Sequence, residues 1–254
     1  MRNNQNEKSA LLASVLEGDQ NLFRFTSYIY FELSNLCNYA SIHTRCPLYT
    51  MRDQTNILSG KIVYDALETM GKYNYSDTIC FHSYNEPLID PRLFEFIRTA
   101  RKMCPKSNIS IWTNGYYLNQ GLALELVEAG VTEFIITAYT QSEKERFEKI
   151  RFPVSYKIQN RSKLDGRRRL YNKDRLFDAH CNKPCFAPLH RLAITAKGKI
   201  NLCCYEWKRQ HPFGNLYKQS FEEVMKNDKM WLVYEQLSKG IRLLDFCKHC
   251  SRSR

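Results

Sequence analysis

NISIWTNGYYLNQGLALELVEAGVTEFIITA, residues 108–138, decides the fold. Its outer pieces, Asn108 to Thr113 and Glu133 to Ala138, are β-branched and aromatic runs that read as strands. The middle piece, Gly121 to Ala129, has the 3.6-residue spacing of a helix. A strand, a helix and a second strand joined this closely form a βαβ unit, which implies parallel strands.

The same alternation continues on both sides. Upstream stand Phe23 to Leu33 (strand), Ile62 to Met70 (helix), Asp77 to His82 (strand) and Leu93 to Met103 (helix); downstream, Ser142 to Ile150 reads as a charged helix and Ser155 to Arg161 as one more strand. The fold class is therefore α/β with a parallel sheet. About 30 residues separate Arg151 from Cys181, too few for the three further strand–helix pairs that an eight-fold barrel needs, so the barrel is partial. Sites in such sheets lie at the carboxyl ends of the strands. Here those ends are the Cys37 loop, His82-Ser-Tyr-Asn-Glu86, Thr113-Asn-Gly115 and Thr137-Ala138.

This divides the chain into a polar arm at 1–22 with a short helix from Ser9 to Leu16, a partial barrel at 23–155, a basic connector at 156–180 and a smaller unit at 181–254. In the last, Arg191 to Thr195, Gly198 and Lys199 to Cys203 read as a hairpin, and Phe221 to Leu237 has helical spacing. No internal repeat is visible. With 10 Gly and 8 Pro among 254 residues, collagen-like and low-complexity classes are excluded. No apolar run approaches the roughly 20 residues of a membrane span. Met1 to Lys8 leads into only a short apolar stretch, Ala10 to Leu16, so a cytoplasmic protein without a secretory signal is expected.

Two totals call for chemistry. The formal charge is +12, and much of it is concentrated between Lys157 and Arg175, where Lys157, Arg161, Lys163, Arg167, Arg168, Arg169, Lys173 and Arg175 face only Asp165 and Asp174. Such a run suits an anionic substrate or partner, nucleic acid included, and equally a solvated linker. The chain also holds 10 Cys. In a reducing compartment clustered cysteines suggest metal binding rather than disulfides. Cys185, Cys203, Cys247 and Cys250 supply four thiolates, enough for either a zinc site or an iron–sulfur cluster. Cys181 and Cys204 are spare, and Cys204 should face away from Cys203 if the strand continues.

The order of these motifs resembles the radical S-adenosylmethionine (SAM) enzymes. The first strand is followed by a loop with Cys37 and Cys46, the second by Asn85-Glu86-Pro87, the third by Thr113-Asn114-Gly115, and Arg151 ends a helix after the fourth. The tail, Cys185-x8-Ile194-x3-Gly198-x4-Cys203, then Gly214-Asn215-Leu216 and Cys247-x2-Cys250, is similar to that family's auxiliary-cluster domain, called twitch in its short form and SPASM in its longer one. The resemblance implies two [4Fe-4S] clusters. One, at the barrel rim, binds SAM and cleaves it to a 5′-deoxyadenosyl radical that abstracts hydrogen from substrate. The tail cluster accepts an electron, and an outside donor such as flavodoxin or ferredoxin supplies one. By position Asn85 and Glu86 match the loop that receives the SAM amino group, Thr113 and Asn114 a strand end near ribose or carboxylate, Thr137 a ribose contact, and Arg151 a partner for the SAM carboxylate. Asn114-Gly115 is also a common turn pair.

One departure stands out. The family's CxxxCxxC is reduced here to Cys37 and Cys46. His43 is the first choice for the third ligand; Ser41, Cys80 and no third ligand are the alternatives. The expected activity is oxidation of a small polar, sugar-like or anionic molecule. The alternatives are a peptide-modifying maturase and a non-catalytic zinc protein that binds nucleic acid through its basic run.

Overall fold

Apolar β-branched and aromatic runs form the sheet, and amphipathic helices return the chain between them. The computed structural model describes residues 9–17, 22–43, 46–50, 55–160, 182–248 and 250. In chain order the elements are α1 (Ala10–Glu17), β1 (Tyr28–Phe31), α2 (Gly60–Lys72), β2 (Thr78–Cys80), α3 (Leu93–Met103), β3 (Asn108–Thr113), α4 (Gln120–Ala129), β4 (Glu133–Ala138), α5 (Gln141–Glu148) and β5 (Ser155–Asn160). The second part holds α6 (Ala187–His190), β6 (Arg191–Ile194), β7 (Lys199–Asn201), β8 (Gly214–Asn215), α7 (Phe221–Met225), α8 (Asp228–Ser238) and α9 (Asp245–Lys248).

These strands join in one sheet of order β5-β4-β3-β2-β1-β6-β7-β8. β1 to β6 pair in parallel, and β7 and β8 run antiparallel. Alternation within each strand gives the sheet two different faces. On one, Ile29, Phe31, Ile79, Phe81, Ile109, Ile111, Phe134, Ile136, Leu192 and Ile194 belong to the main core. The buried sides of α2 (Ile62, Val63, Ala66, Leu67, Met70) and α3 (Leu93, Phe96, Ile97, Ala100) pack there. The opposite face carries Tyr28, Tyr30, Cys80, Trp112 and Ala193, which form a separate cluster.

Several expectations need correcting. Residues 10–17 do not form part of a free arm: α1 packs on α8, burying Leu12 and Val15, and the Ala10 N–H donates to Glu235 Oε2 at 3.1 Å. The boundary at 155/156 gives way too, because Ser155–Asn160 pairs with β4 along its whole length and so belongs to the barrel sheet. The hairpin forms as expected, with Ala193 opposite Asn201. β6 also adds in parallel to β1, so the hairpin continues the barrel sheet. Phe221 to Leu237 breaks into two helices where Asn227 caps the second, its side chain accepting from Lys229 N–H. Cys181 and the basic run from 161 to 175 lie outside the described residues. No described helix is long and apolar enough to cross a membrane.

The junction of barrel and tail is held by a carboxylate. Glu32, just past β1, has no exposed surface. One oxygen accepts from the Tyr84 N–H at 3.0 Å and the other from the Ala196 N–H at 2.8 Å. The Arg209 guanidinium forks onto both, with Nη1 at 2.7 Å. Arg209 holds a left-handed backbone, φ 55°, to reach it, at a cost of about 1 kcal/mol. Truncation leaves a buried cation unmatched. Glu32→Ala is expected to cost about 3–5 kcal/mol, whereas replacing both partners by apolar residues of similar volume should recover most of that. Anaerobic denaturant unfolding of the two single variants and the double variant measures the difference.

Candidate functional site

The rim is assembled around a second buried carboxylate. Glu86 is 2% exposed. It accepts from the Thr113 hydroxyl at 2.6 Å, the Asn114 N–H at 2.8 Å and the Leu88 N–H at 3.1 Å. Burial outweighs these donors and pushes its carboxyl up to about 7. Its own N–H donates to Leu36 O at 2.9 Å. One residue thus locks the ends of β2 and β3 to the start of the cysteine loop. Asn85 is engaged within its own loop, accepting from Ser83 N–H at 2.8 Å and donating to Phe81 O at 3.2 Å.

Asn114 carries the link to sulfur. Its amide donates to Asn38 Oδ1 at 2.8 Å and stands 3.8 Å from Cys37 Sγ. Gly115 follows with φ 71°, and a Cβ there would meet the Phe147 ring at 2.4 Å, so no other residue fits. Thr137, half-buried on β4, lies beside Gln159. Arg151 is exposed, and its backbone is paired with the Gln120 side chain at 2.8 and 3.0 Å.

The cysteine loop itself is a tight coil. Ala40 N–H donates to Cys37 O, His43 N–H to Tyr39 O and Cys46 N–H to His43 O, at 3.1, 2.8 and 2.9 Å. These bonds fold the loop back so that Cys37 and Cys46 lie within electrostatic reach of each other. Desolvation drives the Cys37 thiol up to about 12. The His43 ring packs edge-on to Tyr139 at 5.2 Å, and the Tyr39 hydroxyl is tied to Glu143 on α5. Ser41 is exposed on a turn. Cys80 is fully buried among Tyr30 and Ala193 on the opposite sheet face, with Glu133 and Arg191 as its charged neighbours. It stands apart from the Cys37 loop.

Below the rim, that face forms a continuous wall. Trp112 stacks on His82 at 4.8 Å, Tyr30 meets His82 edge-on at 5.2 Å, Tyr28 stacks on Tyr30 at 5.9 Å, and Arg191 lies over Tyr28 at 5.5 Å. The Trp112 indole N–H donates to Ser110 Oγ at 2.9 Å, and Ser110 donates to Glu133 Oε2 at 2.6 Å. Apolar rings interleaved with a carboxylate, a hydroxyl and a guanidinium suit a small polar molecule that also offers C–H faces. Of these residues the sequence reading singled out only His82, as part of a strand-end loop. The signal available was the polar or aromatic residue at every second position of otherwise aliphatic strands.

The tail thiols converge. Cys185, Cys203 and Cys247 share one buried cluster with Leu202 and Leu237. Cys247 feels the charges of Cys250 and Cys185, and Cys203 that of Cys247. Burial pushes Cys247 up to about 12 and Cys203 upward as well. Arg242, itself 8% exposed, bears on Cys247 with the opposite sign. Among the described residues no three His, Cys, Asp or Glu stand close enough for one metal ion. Four thiolates in this pocket suit either a zinc ion or an iron–sulfur core, and either would bring the positive charge that such buried thiolates require. At the rim the structure brings together two sulfurs, with His43 in the loop between them. β7 ends at Asn201, so strand alternation does not extend to Cys203 and Cys204; Cys204 lies in the turn that follows and hydrogen-bonds the Arg191 guanidinium of the aromatic wall.

Residues 185–251 match the SPASM family, an iron–sulfur cluster-binding domain. Over 236 residues the chain is 25% identical to the S-adenosyl-L-methionine-dependent 2-deoxy-scyllo-inosamine dehydrogenase of Niallia circulans, a match spanning 89% of this chain and 92% of that protein. Two solved structures share the fold. The crystal structure of BtrN in complex with AdoMet and 2-DOIA gives a TM-score of 0.77 at 23% identity, covering 89% of this chain and 93% of that one. BtrN in an open conformation gives 0.70 at 24%, covering 89% and 92%.

The rim's dependence on Glu86 is testable. Thr113→Val removes a buried donor to that carboxylate together with the acceptor for the Gly115 N–H. Loss of about 1–3 kcal/mol in unfolding free energy is expected, with Thr113→Ser close to wild type. Denaturation midpoints of the three proteins give the comparison.

Proposed function

The chain is a radical SAM enzyme with a C-terminal SPASM domain, related to 2-deoxy-scyllo-inosamine dehydrogenase, and from that premise we propose that it oxidises an alcohol carbon of a small, sugar-like polar substrate. The observation that carries this reading is the aromatic and polar wall of Tyr28, Tyr30, His82, Trp112, Glu133 and Arg191, which links the rim loop to the tail thiols. Rings of this kind pack against the C–H faces of a cyclitol or sugar, while Glu133 and Arg191 take up its amino and hydroxyl groups. The curated relative is named for an aminocyclitol of this chemistry, which favours a substrate carrying an amine. Tyr84, in the loop after β2, donates to Cys204 O of the tail at 3.1 Å.

In this reading Cys37, Cys46 and His43 hold the rim cluster, and Cys185, Cys203, Cys247 and Cys250 the auxiliary one. When bound, the rim cluster and SAM supply a low-potential electron and a hydrogen-abstracting radical. The chain's own work is positioning. Glu86 fixes the loops that carry Asn85 and Asn114, the segments assigned here to SAM with Thr113, Thr137 and Arg151. The aromatic wall would shield the chemistry from water. Cys204 hydrogen-bonds Arg191 of the wall and follows Cys203 in the chain, so a cluster held by Cys203 would lie near the wall and would supply an acceptor for the second electron. Flavodoxin or ferredoxin is the expected type of donor for the first. His43 is assigned as third ligand because it is the imidazole in the segment between Cys37 and Cys46. The net charge of +12 also suits an anionic group on the substrate or partner.

Anaerobically reconstituted protein should carry about eight irons, from two four-iron clusters. With SAM and a strong reductant it should form 5′-deoxyadenosine, and with 2-deoxy-scyllo-inosamine or a related aminocyclitol the corresponding ketone. His43→Ala should leave about four irons, those of the tail, and abolish 5′-deoxyadenosine. Full iron in that variant would remove His43 from the ligand set. Colourless protein holding one zinc would overturn the enzymatic reading. Trp112→Ala and Glu133→Gln should each lower ketone formation roughly 10- to 100-fold, equivalent to about 1.4–2.8 kcal/mol, while uncoupled SAM cleavage persists.

A further inference from the structure

Beside the tail thiols lies a hydroxyl that the protein leaves unmatched. Tyr234 is on α8, whose buried side consists of Met230, Trp231, Tyr234 and Leu237. One turn further on, Leu237 closes the thiol cluster with Cys185, Cys203 and Cys247, and its carbonyl accepts from the Cys185 N–H at 2.8 Å. The Tyr234 ring is fixed by two edge-on neighbours, Phe213 at 5.2 Å and Trp231 at 5.7 Å. Phe213 also packs on the thiol cluster. Tyr234 is 3% exposed, and its hydroxyl is buried with no hydrogen-bond partner in the protein. An orphaned buried hydroxyl costs about 1–3 kcal/mol. A phenylalanine would fill the same space without that cost, so packing alone does not account for a tyrosine here. The neighbouring Trp231 N–H, by contrast, is matched by the Met225 carbonyl.

We propose that the Tyr234 hydroxyl donates a hydrogen bond to the auxiliary iron–sulfur cluster, on one of its inorganic sulfides, and thereby raises its reduction potential. The proposal rests on the reading of the four tail thiols as cluster ligands. Its physics is simple. The reduced cluster carries one more negative charge than the oxidised one, so a donor aimed at its sulfur stabilises the reduced form more. In a pocket this dry the effect is strengthened by the low dielectric. Burial, together with the nearby Cys203, holds the phenol well above its ordinary range, so it remains a neutral donor. Tyr234 touches no substrate. It is a positioning residue that makes the cluster a better electron acceptor.

The test uses the full chain with Cys37 and Cys46 replaced by alanine, so that only the tail cluster remains. The readout is a redox titration of the reduced-cluster EPR signal. Tyr234→Phe should bind iron as fully as its parent. At the parent's midpoint, however, its ratio of reduced to oxidised cluster should fall about three- to tenfold, tenfold being 59 mV for a one-electron couple. Replacement of Tyr234 by 3,5-difluorotyrosine, a more acidic donor of similar shape, should move the ratio the other way. A merely structural ring would shift neither. Equal potentials in all three proteins, with iron content intact, overturn the role of Tyr234 and leave the cluster reading standing. A parent that binds no iron overturns both.

Discussion

A single buried carboxylate, Glu32, ties together segments that lie far apart in sequence. Its four hydrogen bonds reach the loop after β2, the loop after β6 and the tail through Arg209. A lone carboxylate in that setting would be driven toward neutrality, and a lone guanidinium would be unable to shed its charge. Each therefore enforces the other's place. Tyr84 supplies one donor and also holds the Cys204 carbonyl, so the pair is tied to the turn that follows Cys203. The Arg209 guanidinium lies over the Tyr84 ring at 5.2 Å, which closes the arrangement into a loop of mutual support.

The strands and most helices were legible because their signals are local. β3 and β4 coincide with their apolar runs, since each is bounded by turn residues and buried on both faces. The pairing of β6 with β1 was not legible. It joins residues more than 160 positions apart, and the hairpin to β7, which is local, explained the same sequence equally well. The docking of α1 on α8 escaped notice for the same reason. Among the site residues, the tail cysteines announced themselves by spacing. The aromatic wall did not, because Tyr28, Tyr30, Trp112, Glu133 and Arg191 each read as ordinary strand residues until the register lined them up.

In the sequence, Asn85-Glu86-Pro87 and Thr113-Asn114-Gly115 read as separate stations along a bound SAM. In the structure they are two halves of one bracket, with the carboxylate facing inward to Thr113 and the Asn114 backbone. The groups left to meet a ligand are then mainly backbone atoms and side chains that the bracket orients. This division of labour is physically reasonable. A charged side chain that must also contact a cofactor would have to be exposed, and exposure would weaken the bonds that set the loops.

The two cysteine sets differ in a way that matches different tasks. Cys185, Cys203 and Cys247 are 7%, 7% and 4% exposed, enclosed by Leu202, Leu237 and the aromatic side of α8. Cys37 and Cys46 are half-buried at the mouth of the barrel, beside the exposed Ile42 and Tyr116. A metal centre that only stores and passes electrons gains from four protein ligands and a dry pocket, which leave it nothing else to bind. A centre that must take up a substrate or cofactor needs an open coordination position and access to it. Cys37, Cys46 and, in the proposed assignment, His43 would leave such a position open at the rim. An imidazole as one of them would raise the potential relative to three thiolates, so the reductant for this rim would not need to be as strong, while the electron it delivers would be a weaker one.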